Sequence, residues 1–281
     1  TRWQEDPTRD CWGAFCYLRD LDHGGFWSAA HQPALRPSEA YEAVFSQAQV
    51  EYRRRDDNIE THTAITVSPE DDIELRRIRI TNRGHKRRAI ELTSYAEVVL
   101  APPAADATHP AFSKLFVQTE ILRSRQAILC TRRPRSSKEH PLGMFHLVVF
   151  EGQDVGTTSY ETDRCKFIGR NRSLTDPMAM HVPKLSDREG SVLDPVVSIR
   201  RAVAVEPDEM TRVDFVTGVA DTREEAMALI EKYQDRKMMD RVFHLALTHS
   251  QVVLRQLGAT EYDAQLYGNL SGAVLYARPR H

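Results

Sequence analysis

Ala14-Phe-Cys-Tyr-Leu-Arg-Asp20, Leu21-Asp-His-Gly-Gly25 and Phe26-Trp-Ser28 form the stretch on which the fold turns. Residues 14–20 alternate with the period of a strand: Phe15, Tyr17 and Arg19 fall on one side, Cys16 and Leu18 on the other. Asp22-His-Gly-Gly25 is turn chemistry, because glycine takes positive φ without steric cost. Phe26-Trp27-Ser28 then returns as a second strand. All three tryptophans (Trp3, Trp12 and Trp27) lie within residues 3–33. Rings of that size need a deep layer to bury against. The rest of the chain is therefore expected to stack sheet on sheet.

Working outward, strand signals continue to Val219. Residues 41–45 and 50–54 are short strands, and Asp56-Asp-Asn58 makes a turn. Residues 59–67 alternate cleanly. Residues 73–82 carry a phase slip: Ile73 and Leu75 have one parity, Ile78 and Ile80 the other. A bulge near Arg76-Arg77 would return both pairs to one face. After a turn at Asn82-Arg-Gly84, residues 89–99 run back, so 73–99 is expected to be a long antiparallel hairpin. Residues 100–110 hold three prolines and four alanines, which suit neither a central strand nor a steady helix. Strand character resumes at 113–120, 127–132 and 144–150. Residues 134–141 are a polar loop, and 152–195 are expected to be long loops with a few short strands. Residues 196–205 place Val197, Ile199, Val203 and Val205 on one face, and 211–219 are expected to pair back on them.

The pattern then changes. Thr222-Arg-Glu-Glu225 is a capping box, followed by Ala226, Leu229, Ile230 and Tyr233 at helical spacing. A second helix over 238–257 is apolar on two faces and ends at Gly258. A third, capped by Thr260-Glu-Tyr-Asp263, runs to about Ala277, with Leu266, Tyr267, Leu270 and Val274 on its core face. Strands segregated from helices argue two structural parts, 1–220 and 221–281.

The composition is that of a water-facing globular chain. Lys and Arg number 38 against 40 Asp and Glu among 281 residues, so a global basic footprint for nucleic acid is absent. No apolar run reaches the ~20 residues of a membrane span, so direct membrane insertion by these residues is not expected. Four cysteines (Cys11, Cys16, Cys130, Cys165) do not make a disulfide scaffold, which suits a reducing compartment. The first residue is Thr1, which suggests a piece of a longer chain.

Several stretches carry a resemblance. Trp3-Gln-Glu-Asp-Pro-Thr-Arg-Asp10, Trp12-Gly13, Tyr17-Leu-Arg-Asp20, Trp27-Ser28 and Gln32-Pro33 resemble the entry to the phosphorylase-type module of cyclic β-1,2-glucan synthases. That module belongs to glycoside hydrolase family 94, the inverting disaccharide phosphorylases. The likeness continues through Glu91-Leu-Thr-Ser-Tyr-Ala-Glu97, Ala101-Pro-Pro-Ala-Ala-Asp106, His109-Pro-Ala-Phe-Ser-Lys-Leu-Phe116, Thr131-Arg-Arg-Pro134, Tyr160-Glu-Thr-Asp163 and Leu193-Asp-Pro195. It implies a mainly β fold: a large antiparallel β-sandwich of the supersandwich, galactose-mutarotase-like kind, followed by a short helical linker into a helical barrel. It also implies a membrane-bound parent whose phosphorylase-like module acts on β-1,2-glucan at the cytoplasmic face of a bacterial inner membrane. The family's general acid belongs to the barrel.

An inverting phosphorylase needs a carboxylic acid against the departing sugar oxygen. By environment the candidates are Asp106, near His109, and Asp163, but nothing in their spacing sets them apart from turn residues. No catalytic residue is therefore assigned. Residues 101–116, an irregular loop between good strands, are where binding groups tend to sit. Asp106 and His109, with the rings of Trp12 and Trp27, are the candidate sugar-binding residues. Core packing is the competing role for both rings.

A metal is not expected. His244 and His249 are five apart on a helix, not the i, i+4 pair that grips zinc, and His109, His140 and His146 lack partners at ligand spacing. No glycine-rich phosphate loop or Gly-x-Ser-x-Gly elbow is present, and no cofactor is expected. The basic runs at 53–55, 86–88 and 132–138 sit at strand ends, where solvated edge protection is the simpler role. Guidance of phosphate or an anionic polymer is the sharper one.

The expected role is thus a non-catalytic scaffold, a surface for a homodimer and one wall of a glucan site. The alternative is a free-standing sugar-active enzyme or carbohydrate-binding module with its site on the sandwich. That alternative needs a histidine and a carboxylate converging on one concave face.

Overall fold

The computed structural model describes residues 13–134, 142–151 and 153–275. Fifteen strands are described: β1 (Ala14–Asp20), β2 (Phe26–Ser28), β3 (Ala40–Phe45), β4 (Val50–Asp56), β5 (Ile59–Val67), β6 (Ile73–Asn82), β7 (Arg88–Glu97), β8 (Val117–Leu122), β9 (Ala127–Arg132), β10 (Gly143–Phe150), β11 (Gln153–Asp154), β12 (Ser159–Asp163), β13 (Gly190–Ser191), β14 (Pro195–Val205) and β15 (Met210–Ala220). They form two antiparallel sheets. The larger runs β13-β8-β9-β10-β15-β6-β5-β4-β3. The smaller runs β11-β14-β7-β1-β2, with β12 also on β14. The opening hairpin forms as expected, with Leu18 opposite Trp27.

The core between the sheets explains the alternation. Cys16, Leu18, Ile90, Leu92, Val197 and Ile199 point in from the smaller sheet; Ile78, Ile80, Val148, Val213 and Phe215 meet them from the larger. The rings of Phe15 and Tyr17 point the other way. They meet a third layer, the segment from α3 (Arg164–Ile168) to Leu185, where Phe167 packs on Tyr95 with ring centroids 4.7 Å apart. The large rings thus needed a deep partner, but that partner is irregular chain rather than a sheet.

Three strand expectations are corrected. The phase slip in β6 is not a bulge: its pairing with β5 and β15 is continuous. Ile73 and Leu75 face outward under helices, whereas Ile78 and Ile80 face the other sheet, so the two parities mark two different partners. Nor is 73–99 a hairpin. β6 and β7 lie in different sheets, and the turn after Asn82 carries the chain across the sandwich. β14 and β15 are separated in the same way.

Outside the larger sheet lie α4 (Arg223–Lys232) and α5 (Arg236–Gln256). Thr222 caps α4, its hydroxyl accepting from the Glu225 N–H at 3.1 Å. Ala226, Ile230, Tyr233, Met239 and Val242 bury against Leu75, Phe145, Leu147 and Val216. Burial of each large apolar side chain there is worth about 1.5–3 kcal/mol. From Leu247 onward this cover ends. Leu247, Val252 and Leu257 are exposed, as are Leu266, Tyr267, Leu270 and Val274 of α6 (Glu261–Leu275), which was expected to present a core face.

The basic runs are also corrected in part. Each sends one arginine inward. Arg54 grips Asp56 at 2.6 Å and the Arg36 carbonyl at 2.9 Å. Arg88 grips Asp20, and Arg132 donates to the Ser113 carbonyl at 2.8 Å. Their neighbours Arg53, Arg55 and Arg87 stay at the surface.

A buried histidine bridge crosses the sandwich. His146 of β10 meets Ser94 Oγ of β7 through Nε2 and Thr217 Oγ1 of β15 through Nδ1, both at 2.8 Å, and stacks on Phe215. Burial, with the nearby charge of Arg76, pushes its pKa down to about 3. An unfolded histidine titrates near ~6.5. Between these values the unfolded chain holds a proton that the folded chain refuses, so stability falls as pH drops through that window, by at most about 1.4 kcal/mol per pH unit. We expect His146→Gln to lower stability at pH 7 but to flatten the slope of unfolding free energy between about pH 6.5 and 4.5. Equal slopes in denaturant titrations of the two proteins would show that His146 does not carry this dependence.

Candidate functional site

The segment between β7 and β8 departs from expectation by forming two short helices, α1 (Pro103–Thr108) and α2 (Pro110–Lys114). Each begins with proline, whose fixed φ suits the first turn and whose missing N–H is no loss there. His109 links them as the last cap of one and the first of the other. Asp106 lies in α1 and is half-buried; His109 is exposed.

What holds this segment is a cluster of charge at its base. Lys114, at the end of α2, is buried and ion-paired to Asp194. Arg164 pairs with Glu97 at 2.8 Å through Nε and with Asp194 at 3.5 Å through Nη1. The Tyr95 hydroxyl donates to Glu97 at 3.2 Å, and burial pushes the phenol pKa well above its ordinary value. Arg132 adds its hydrogen bond to Ser113. Two cations therefore face two carboxylates, with α2 tied to β7 and to the loop before β14. An ion pair this enclosed holds only when both partners are present.

A second cluster lies further along the same outer face. Glu91 meets Arg19 at 2.8 Å and Arg200 at 3.1 Å. Arg19 donates to the carbonyls of Met180 and Val182 at 2.9 and 3.0 Å, and Arg200 to those of Val182 and Ala179. Burial draws the Arg200 pKa down to about 10. These groups fasten the 179–182 chain to the sheet. Beside the first cluster the covering segment leaves an open cleft of about 630 Å³, rimmed by Arg164, Arg170 and Arg172.

The four candidate sugar-binding residues do not share one surface. Trp12 lies outside the described residues. Trp27 is 7% exposed, with its ring in the core between the sheets. Asp106 and His109 sit outside the sandwich. Asp163 accepts from the Cys165 N–H at 2.9 Å and caps α3. The residues that organise this region, Glu97, Lys114, Arg164 and Asp194, were not singled out by spacing. They come from four separate segments, and no local pattern in a sequence announces a long-range ion pair. Three of them do fall inside the stretches quoted above for their resemblance: Glu97, Lys114 and Asp194.

Among buried carboxylates, Asp214 has its pKa raised by burial, but Arg77 at 2.9 Å and Arg212 at 3.1 Å enclose it. Asp20, His23 and Asp57 bring ligand atoms within 4.8 Å of one another. Arg88 already sits on both carboxylates, at 3.0 Å from Asp57, so the group is a structural ion cluster.

The family described as "Glycosyl hydrolase 94, supersandwich domain" matches residues 1–236. A cyclic beta-(1,2)-glucan synthase, NdvB of Rhizobium meliloti (strain 1021), is 36% identical over 277 residues, which is 98% of this chain and 10% of that protein. An N,N'-diacetylchitobiose phosphorylase of Vibrio furnissii is 23% identical over 86% of this chain and 29% of its own. Among solved structures, a bacterial glucoamylase complexed with acarbose aligns at a TM-score of 0.47 and 8% identity, over 84% of this chain and 31% of that one. This chain thus spans about a tenth of the synthase and under a third of the phosphorylase.

The charge cluster predicts a local effect. Lys114→Met leaves Asp194 with the partly exposed Arg164 as its remaining cation. We expect a loss of about 1–3 kcal/mol in unfolding free energy, with faster amide exchange concentrated in residues 101–116. Unchanged exchange there, at any stability, would show that Lys114 does not hold the segment.

Proposed function

The chain belongs to the glycosyl hydrolase 94 family, whose supersandwich domain it carries over residues 1–236, and from that premise we propose that it is the non-catalytic sandwich and linker portion of a larger cyclic β-1,2-glucan synthase. The observation that carries this reading is the 36% identity to such a synthase across 98% of this chain. The division at about residue 220 then separates a scaffold from a linker that leads to a helical barrel. The parent is membrane-bound, with this module on its cytoplasmic face. Within the described residues, no helix is long and apolar enough to cross a membrane.

In this proposal the sandwich forms one wall of a glucan site. The 101–116 segment is its working edge, presenting Asp106 and His109, with Trp12 as a stacking ring. The buried Trp27 supports the hairpin from inside. Catalysis falls to the barrel. This fits the arrangement of buried carboxylates: Asp20, Glu91, Glu97 and Asp214 are each committed to arginine, and Glu161 accepts from the backbone N–H groups of Thr162, Asp163 and Ser186. A general acid needs a proton near neutral pH and contact with the leaving oxygen. The exposed row on α5 and α6 is the surface that meets the barrel, or a second copy of this chain when the barrel is absent. Eight exposed large apolar residues from Leu247 to Val274 support that assignment.

The first test is turnover. Incubation of the chain with a β-1,2-linked glucose disaccharide and phosphate should release no glucose 1-phosphate. Phosphate-dependent release that disappears in Asp106→Asn would move the active site onto the sandwich. The second test is association. In sedimentation experiments Leu266→Glu with Leu270→Glu should shift the chain toward monomer and reduce hydrophobic-dye binding. A wild-type chain that is monomeric at high concentration and binds no dye would remove the docking role of this face.

A further inference from the structure

The cleft beside the charge cluster has a chemistry that the scaffold role does not use. It is lined by three arginines, Arg164, Arg170 and Arg172, and by no aspartate or glutamate. Gln32, Ser173 and Thr175 add an amide and two hydroxyls, and Ile168 and Leu174 supply apolar wall.

Two of the arginines are fixed from behind. Arg164 spends Nε on Glu97 and Nη1 on Asp194. Arg172 spends Nη1 on Asp176 at 2.6 Å, and Asp176 is held in turn by His181 Nε2 at 2.6 Å. That contact keeps the Asp176 carboxyl below its ordinary pKa. A guanidinium has five N–H donors in a rigid fork, so each retains a free edge. Arg170 is exposed and makes no ion pair or side-chain hydrogen bond among the described residues. Its position is set by the preceding residue. Gly169 has φ +84°, and a Cβ there would lie 2.7 Å from Met178 Cβ, so the turn that presents Arg170 is built around glycine.

The carboxylates behind Arg164 and Arg172 neutralise those two charges and leave that of Arg170. Guanidinium forks match carboxylate and phosphate oxygens, and charge-assisted bonds are roughly twice as strong as neutral ones. We propose that this cleft binds a saccharide bearing an oxyanion, a sugar phosphate or a uronate. Arg170 and the free edges of Arg164 and Arg172 hold the anion; Gln32, Ser173 and Thr175 take ring hydroxyls, with Ile168 and Leu174 against the apolar side of the ring. This does not rest on the glucan role proposed above, since a neutral glucan supplies no anion.

The test is calorimetric titration of the 281-residue chain at low ionic strength with glucose 6-phosphate, glucuronate, inorganic phosphate, glucose and a β-1,2-glucooligosaccharide. Saturable binding of the sugar phosphate or the uronate is expected, at least about tenfold tighter than glucose. Whichever of the two binds identifies the oxyanion. Arg170→Gln should weaken it by about tenfold or more without moving the thermal midpoint, because Arg170 holds no other group among the described residues. Absence of saturable binding by both anionic sugars overturns the proposal, as does undiminished binding by Arg170→Gln. Inorganic phosphate binding as tightly as glucose 6-phosphate would reduce the cleft to an anion site and remove the saccharide. The glucooligosaccharide is scored separately: its binding bears on the glucan wall and leaves the oxyanion result as measured.

Discussion

The architecture depends on how Glu91 is held. One carboxylate on the outer face of the smaller sheet is shared by Arg19 and Arg200, and both guanidiniums reach beyond it to backbone carbonyls of residues 179–182. Backbone that lacks strand or helix partners needs hydrogen bonds from somewhere else. Here arginine side chains supply them. With that fastening, an irregular segment lies flat on Tyr17 and Tyr95 and buries Phe167 and Leu185. Without it the outer rings of β1 and β7 would face water, and the cleft would have no rim.

The same logic recurs at each level. A sheet has two faces, and in this chain the central strands of both sheets bury both, while β3 at the edge of the larger sheet is exposed along its length. The inner faces meet each other. The outer face of the larger sheet takes α4 and the first half of α5; that of the smaller takes the 164–185 segment. Charges follow the covering layers. Arg164 and Arg200 each tie a covering segment to a strand, Lys114 ties α2 to the loop before β14, and Arg54, Arg88 and Arg132 hold connecting segments from the basic runs. Buried ion pairs add little net stability compared with apolar packing, but losing one partner is costly. They therefore act mainly to set where each segment lies. The functional consequence is position: residues 101–116 and the arginine-lined cleft are both placed by clusters that share Arg164 and Asp194.

Strand alternation, the capping box at Thr222, the stop at Gly258 and the change from strand to helix after Val219 were all legible in the sequence, because each depends on a few consecutive residues. The supersandwich was legible through the resemblance of segments spread along the chain. Misreadings arose where a local pattern had two possible partners. The parity change in β6 reads equally as a bulge or as a strand with different neighbours on its two faces. The runs 73–99 and 196–219 read as hairpins, because adjacent strands in a sequence usually pair. In this fold they cross between the sheets. Arg54 and Arg88 read as solvated, because groups that draw them inward depend on the fold: the Arg36 carbonyl is distant in sequence from Arg54, and Asp20 from Arg88.

The candidate site divides along the same line. That residues 101–116 interrupt two strands, and that Asp106 and His109 lie there, is a property of composition and needed no structure. The burial of Trp27 was beyond the sequence, because the stretch around it is apolar on both parities and only the order of the strands decides which side meets the core. The association of Glu97, Lys114, Arg164 and Asp194 was also decided by tertiary structure alone; Arg164, Arg170 and Arg172 are neighbours in one short stretch, and the fold decided only that they rim an opening. The contacts of that association reach across up to 80 residues of sequence, from Lys114 to Asp194, and Glu97 and Asp194 meet on the same Arg164. Local sequence sets backbone periodicity, caps and turns through short-range sterics and hydrogen bonds. Which distant charges meet is set by sheet order and by the layers that cover each face.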